Sequence, residues 1–396
     1  MTLRKRSVVL ALATTLVACA ALIQADSRER SVSELAQLPN SWFLQQVGGK
    51  RIVVDGHALD LRIQYLLDQF RAAEAKRQER PQSDPGATAQ GRAAIRKGAD
   101  QDWIRRTSIP PAMASVSDYG VKGRGGNIHV RVYHPHAAGR LPIIVYFHGG
   151  GWFFGSVAAS DRSNRLLAAA ARMIVVAVDY RLAPEAPYPA AWNDAADAYA
   201  WVMKMAAKLG GSTTDICVGG DSAGGNLAIA VTRRRQASGE ALPVCQLLYY
   251  PAVDNRPVDE MRRTYLSSRQ FGEGFGLDRA FMEYVLPRVF QQRDRKSPEI
   301  SPLFAPSLAD MPPTFFGVAG FDPLRDSQRA YALRLIEAGD AVSFWEYPTI
   351  AHGFLQMTAL SPAAQFAASS SARLFGRFAR EAAAARLLPE SSPHYP

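Results

Sequence analysis

Short runs of β-branched and aromatic residues recur along the second part of the chain, at 128–133, 143–147, 173–178, 216–219, 246–250, 315–319 and 342–347. Between them lie longer stretches with helical spacing. Near-continuous apolar strands separated by helices predict a mainly parallel sheet buried on both faces. The interval 254–302 breaks the rhythm: it has no strand-like run and is expected to be helices and loops inserted after the strand at 246–250. Upstream, 58–80 carries Leu59, Ile63, Leu66, Leu67 and Phe70 on one helical face. Pro81-Gln82-Ser83-Asp84-Pro85-Gly86 ends that helix as a loop. A second helical piece, 87–106, leads to Ile109-Pro110-Pro111. Neither helix is apolar enough to stand alone, so both are expected to pack on something larger. The chain shows no internal repeat and no low-complexity tract.

The N-terminus has a different texture. Arg4-Lys5-Arg6 precedes an uncharged stretch, 7–23, and charges return with Asp26, Arg28, Glu29 and Arg30. That order predicts a signal segment over residues 1–25, too short to be read as a membrane span. Leu16-Val17-Ala18-Cys19 resembles the lipobox in which a bacterial lipoprotein's Cys is acylated. Cleavage after Ala20 or Ala25, with soluble export, is the competing reading, and an uncleaved anchor a third.

Composition adds limits. The 396 residues, 47% apolar and 21% charged, suffice for a large core. Of the net charge of +10, 6 units fall in the first 106 residues, where 17 Lys and Arg stand against 11 Asp and Glu. No basic run is interleaved with aromatics and no zinc or helix-turn-helix spacing occurs, so nucleic acid is not an expected partner. No metal or cofactor is expected either. Cys217 and Cys245 both sit in apolar runs and are expected to be buried free thiols, although export would permit a disulfide.

The chemistry concentrates in a few places. Ile216-Cys217-Val218-Gly219 runs into Gly220-Asp221-Ser222-Ala223-Gly224 and straight on into a helical pattern. Strand, sharp turn and helix around Gly-x-Ser-x-Gly make a nucleophile elbow, which presents the Ser222 hydroxyl at the head of a helix. Tyr146-Phe147-His148-Gly149-Gly150-Gly151 puts three glycines after another strand. Their N–H groups, with that of Ala223, are candidates for an oxyanion hole. In a hydrolase whose nucleophile sits on such an elbow, the triad follows the chain order Ser, acid, His. Of seven histidines only His352 and His394 lie beyond Ser222, and His394 belongs to the C-terminal tail. His352 follows the last strand and is the expected base. Asp322, just past the strand at 315–319, is the expected acid, with Asp326 its rival.

Together with Asp179-Tyr180-Arg181-Leu182-Ala183-Pro184-Glu185, Asp322-Pro323-Leu324-Arg325-Asp326 and His352-Gly353-Phe354, these motifs resemble the bacterial hormone-sensitive-lipase family of carboxylesterases. The resemblance covers roughly residues 55–380 and implies the α/β-hydrolase fold with a helical cap. It further implies a Ser222–His352–Asp322 triad acting on small carboxylic esters, with short acyl chains preferred, and a stiffening rather than chemical part for His148. Glu185 is then structural. On this reading 26–114 forms a helical cap segment, 115–380 the catalytic domain with a cap insertion at 254–302, and 381–396 a tail. Gly320 stands where the family often has an acidic residue, and Ser160-Asp161 where it often has His-Asp; residues 26–54 have no counterpart. The same triad would serve amide or thioester hydrolysis. An inactive ligand-binding member of the fold, like the plant gibberellin receptor that lacks the His, is disfavoured because Ser222, Asp322 and His352 are all present. The motifs leave the oligomeric state open.

Overall fold

The computed structural model describes residues 30–78 and 84–386. The expected signal segment with Cys19 lies outside the described residues, as do 387–396, with His394.

Two short helices, α1 (Val32–Ala36) and α2 (Asn40–Gln46), precede a small hairpin of β1 (Val53–Val54) and β2 (His57–Ala58). Its turn is Asp55-Gly56, both at positive φ, a combination that suits the twist of a two-residue hairpin loop. The two expected helices follow as α3 (Leu61–Gln78) and α4 (Ala89–Arg106). Asp60 caps the first, its carboxylate accepting from the N–H groups of Arg62 and Ile63; Thr88 caps the second through Gly91. Leu61, Ile63 and Leu67 form the buried face of α3.

The sheet has eight strands: β3 (Ser115–Gly123), β4 (Gly126–His134), β5 (Leu141–Phe147), β6 (Ile174–Asp179), β7 (Gly211–Asp221), β8 (Gln246–Tyr249), β9 (Thr314–Phe321) and β10 (Val342–Ala351). Their spatial order is β10-β9-β8-β7-β5-β6-β4-β3. From β6 to β10 every pairing is parallel; β4 runs antiparallel to both β6 and β3. All seven expected strands are present. β3 was not anticipated: it is an edge strand with only Val121 buried, so it carries no apolar run.

Alternate residues of the central strands feed two cores. Ile143, Val145 and Phe147 of β5 face the layer of α6 (Ala190–Met205) and α7 (Ala223–Ala237). Ile144 and Tyr146 face the opposite layer, which includes α5 (Asp161–Ala171). The interval after β8 holds α8 (Val258–Thr264), α9 (Leu266–Gln270) and α10 (Arg279–Phe290), and no strand. Then come α11 (Arg325–Glu337), beyond β9, and α12 (Pro362–Ala385), which completes the α5 layer. Small residues (Ala364, Ala367, Ala368, Ser371, Ala372) make up much of the buried face of α12. Such a face is weakly apolar, and the helix continues to Ala385, past the boundary expected at 380.

The cysteines correct the sequence reading. Cys217 on β7 and Cys245 just before β8 are joined by a disulfide, with Cα atoms 4.9 Å apart. That spacing is within the range a bridge requires. The two residues are separated in sequence by 28 positions and a helix, and only strand adjacency brings them together.

Candidate active site

β7 ends at Asp221, and α7 begins at Ala223, so a single residue makes the turn. Ser222 has φ 54° and ψ −116°, a conformation costing on the order of 1–3 kcal/mol. Its backbone is held from both sides. The Ser222 N–H donates to Tyr249 O at 2.9 Å, and its carbonyl accepts from Ala252 N at 3.1 Å. Two glycines make the turn possible: a Cβ on Gly220 would collide with the Gly224 backbone, and one on Gly224 with the Phe147 carbonyl. The elbow therefore packs directly against the end of β5.

His352 follows the last residue of β10 by one position. Its Nε2 lies 3.0 Å from Ser222 Oγ and its Nδ1 2.8 Å from Asp322 Oδ2. Asp322 is fully buried, and it also accepts from the Leu324 N–H at 2.7 Å and the Gln328 amide at 3.2 Å. These bonds fix the carboxylate so that one oxygen faces the imidazole. Asp326 has a different environment. Its Oδ2 accepts from the Ser267 N–H at 2.8 Å and its Oδ1 faces Arg325 at 3.4 Å, which ties α11 to α9. Of the two candidate acids, Asp322 is the one brought to His352.

The glycine loop lies beside the elbow. Gly150 and Gly151 both have positive φ, 105° and 62°. The N–H groups of Gly150, Gly151 and Ala223 engage no acceptor among the described residues. Gly149 packs on the Asp221 carboxylate: a Cβ there would stand 2.6 Å from Asp221 Oδ2. His148 is buried, stacked on Tyr180 with ring centroids 4.3 Å apart, and its Nδ1 is 2.7 Å from Gly149 O. Burial pushes its pKa down, so Nδ1–H donates to that carbonyl from a neutral ring. The Tyr180 hydroxyl donates to His148 O at 2.7 Å. These contacts brace the loop and leave His148 away from Ser222. Glu185 pairs with Arg92 and Arg96, both at 2.6 Å.

Gly320 also finds its reason here, because a Cβ would meet the Pro348 backbone at 2.6–2.8 Å. Sequence reasoning passed over Asp221 and Tyr250. The hydroxyl of Tyr250 reaches Asp221, and its ring lies 4.8 Å from that of His352. A charged residue closing an apolar strand was the available signal for Asp221; Tyr250 offered none. Among the described residues no group of three or more His, Cys, Asp or Glu is placed to hold a metal ion.

A sharp strand–Ser–helix turn, an acid and a His arriving from successive later strands, and a mainly parallel sheet define a hydrolase class. The model of the alpha/beta hydrolase fold family matches residues 144–356, and the chain belongs to that family. Carboxylic ester hydrolase LipN of Mycobacterium tuberculosis is 33% identical over 316 residues, covering 78% of this chain and 80% of that protein. Ethyl acetate hydrolase of Pseudomonas putida is 34% identical over 248 residues, 61% of this chain and 76% of its own. Ester-hydrolase EH1AB1 from the metagenome of Lake Arreo, solved with a bipyridine phosphonate derivative, superposes with a TM-score of 0.73 at 36% identity. The match covers 81% of this chain and 99% of that one. The hyperthermophilic esterase of the archaeon Pyrobaculum calidifontis gives 0.70 at 34% identity, with 81% and 99% covered.

Proposed function

We propose that this carboxylic ester hydrolase works through an acyl-enzyme on Ser222, with His352 as base and Asp322 as the acid that orients it. The observation that carries the reading is the unbroken relay from Ser222 Oγ to His352 Nε2 at 3.0 Å and from His352 Nδ1 to Asp322 at 2.8 Å. As Oγ attacks the ester carbonyl, Nε2 takes its proton; the buried Asp322 carboxylate stabilises the imidazolium. The carbonyl oxygen, now an oxyanion, accepts from the N–H groups of Gly150, Gly151 and Ala223, at the positive end of α7. The imidazolium then protonates the departing alcohol. Water repeats the sequence on the acyl-enzyme, releasing the carboxylic acid and restoring Ser222.

Ser222→Ala should remove fluorophosphonate labelling and lower kcat by roughly 10³–10⁶-fold with the fold intact. His352→Ala should lose a comparable amount, since nucleophile and base act as one unit. Near-full esterase activity in either variant would overturn the assignment.

The substrates are esters of small carboxylic acids. Two observations favour short acyl chains. Leu67 of α3 and Gly276 of the insertion meet beside the His352 carbonyl, and Phe281 of α10 rests on Gly151. Cap segments from two separate parts of the chain thus bound both ends of the site. The enzyme is exported and held at a membrane through a lipid on Cys19. Support comes from the basic start, the uncharged stretch and Leu16-Val17-Ala18-Cys19. The Cys217–Cys245 bridge adds to it, since disulfides persist in oxidising compartments.

A further inference from the structure

We propose that Asp221 is a positioning residue that holds the oxyanion loop against the nucleophile elbow, and that it does so only as the carboxylate. The proposal rests on the reading of Ser222, His352 and the glycine loop given above. Asp221 is 3% exposed and pairs with no Lys or Arg among the described residues. A buried carboxylate without a cation is costly unless neighbouring donors satisfy it. Those donors come from several parts of the site. The Tyr146 hydroxyl, from β5, donates to Oδ1 at 3.1 Å. The Tyr250 hydroxyl, just past β8, reaches Oδ2 at 3.5 Å. The backbone of Gly149, from the loop, lies against the same carboxylate.

Asp221 is therefore the point at which three catalytic parts converge. It is covalently next to Ser222. The backbone of the oxyanion loop lies directly on it, since a Cβ on Gly149 would be 2.6 Å from Oδ2 and 3.1 Å from the Asp221 carbonyl. Through Tyr250 it also touches the ring that packs on His352. No side chain of the triad makes these connections. Loss of the negative charge would weaken the acceptor that holds the Tyr146 hydroxyl and loosen the loop packed on Asp221, freeing Gly150 and Gly151 to shift.

The titratable groups facing Asp221 set when that happens. Burial raises its pKa to about 6, opposed by the Tyr146 hydrogen bond, the charge of His352, the Gly149 N–H and Gln356. Tyr146, Tyr180, Tyr249 and Tyr250 all surround it, and burial together with Asp221 raises the pKa of each, so these phenols stay protonated. Asp322 bears on the cluster through Tyr250. Activity then requires two deprotonated groups, the His352 imidazole as base and Asp221 as the carboxylate that titrates near pH 6.

The test is the pH profile of kcat/KM on a four-carbon p-nitrophenyl ester for wild type, Asp221→Asn and Tyr146→Phe. Wild type should fall with a slope of two on the acid side. Asp221→Asn should fall with a slope of one and a lower midpoint, because the charge that favours the imidazolium is gone. Its kcat at pH 8 should drop about tenfold or more, the scale of a misplaced oxyanion donor, with KM within about twofold. Its Tm at pH 8 should not fall, since the neutral side chain escapes the burial cost of the charge. Tyr146→Phe should move the acid limb to higher pH, because Asp221 loses a donor that favours ionisation. These opposite shifts do not arise from a merely structural role, and Tyr146→Phe decides the matter if Asp221→Asn fails to fold. A wild-type kcat in Asp221→Asn, a one-proton limb common to it and wild type, or a downward shift in Tyr146→Phe would overturn the proposal. Ser222→Ala in the same assay separates the two readings: activity surviving there refutes the nucleophile, whereas its loss beside an unaltered Asp221→Asn refutes the positioning role alone.

Discussion

Asp322 and Asp326 stand four residues apart around the start of α11, and their surroundings give them different work. Asp322 is sealed from solvent and shares its oxygens among His352, Leu324 N–H and Gln328. Asp326 holds the Ser267 N–H of the insertion and is flanked by Arg325 and Arg329. Asp322→Asn should lower kcat by roughly 10³–10⁴-fold, because an amide does not hold the imidazole in the tautomer that accepts the Ser222 proton. Asp326→Asn should cost less than about tenfold in kcat and act mainly on the Tm. Steady-state kinetics of the two variants side by side check the ranking. The reverse order would move the acid along the chain.

Among the elements, α4 has a larger part than its sequence suggests. Its buried side chains are few, but Arg96 donates to Phe153 O and Ala183 O, both at 2.9 Å, and with Arg92 it grips Glu185. The helix thereby anchors both the residues after the glycine loop and the turn that carries Tyr180. Burial would raise the Glu185 pKa, but the hydrogen bonds from Arg96 and Arg92 outweigh it and hold the value at about 2. A carboxyl depressed from 4.5 to about 2 on folding contributes stability above pH 4.5, and that contribution disappears as pH falls towards 2. Since Glu185 is partly exposed, the effect is modest. Glu185→Gln should lower Tm by roughly 1–3 °C at pH 7. Thermal unfolding across pH should show the gap closing below 4.5; an equal loss at pH 2 would place the effect elsewhere than in the ion pairs.

At the scale of the whole molecule, two distant stretches of chain build one roof over one end of the sheet. α3 comes from ahead of the sheet and α10 from the insertion after β8, and they approach His352 and Gly151 respectively. A site closed from both sides suits small ligands, so acyl chains of about two to eight carbons should be turned over faster than long ones. Faster turnover of a sixteen-carbon than a four-carbon p-nitrophenyl ester would point to a lipase instead. The other end of the chain bears on location. With Cys19 acylated, full-length protein expressed in a bacterium should sediment with membranes, and Cys19→Ser should shift it to the soluble or unprocessed pool. A mature N-terminus at Ala21 or Asp26 without acyl mass would reject the anchor and leave plain export.

The sequence alone determined the strands at 128–133, 143–147, 173–178, 216–219, 246–250, 315–319 and 342–347, the elbow at Ser222 and the place of His352. Each rests on local physics: β-branched runs that must be buried, a turn that only Gly220 and Gly224 permit, and a chain order that leaves only His352 and the tail's His394 beyond Ser222. Elements whose faces carry little apolar signal were not legible. β3 exposes most of its side chains, α12 buries alanines, and the β1–β2 hairpin has two residues per strand. Only tertiary structure decided what depends on neighbours far along the chain. It paired Cys217 with Cys245 across adjacent strands, chose Asp322 over Asp326 by the direction of a carboxylate, and laid Gly149 of the glycine loop on the Asp221 carboxylate. Those outcomes depend on distances and directions across the sheet, and residue spacing along the chain holds neither.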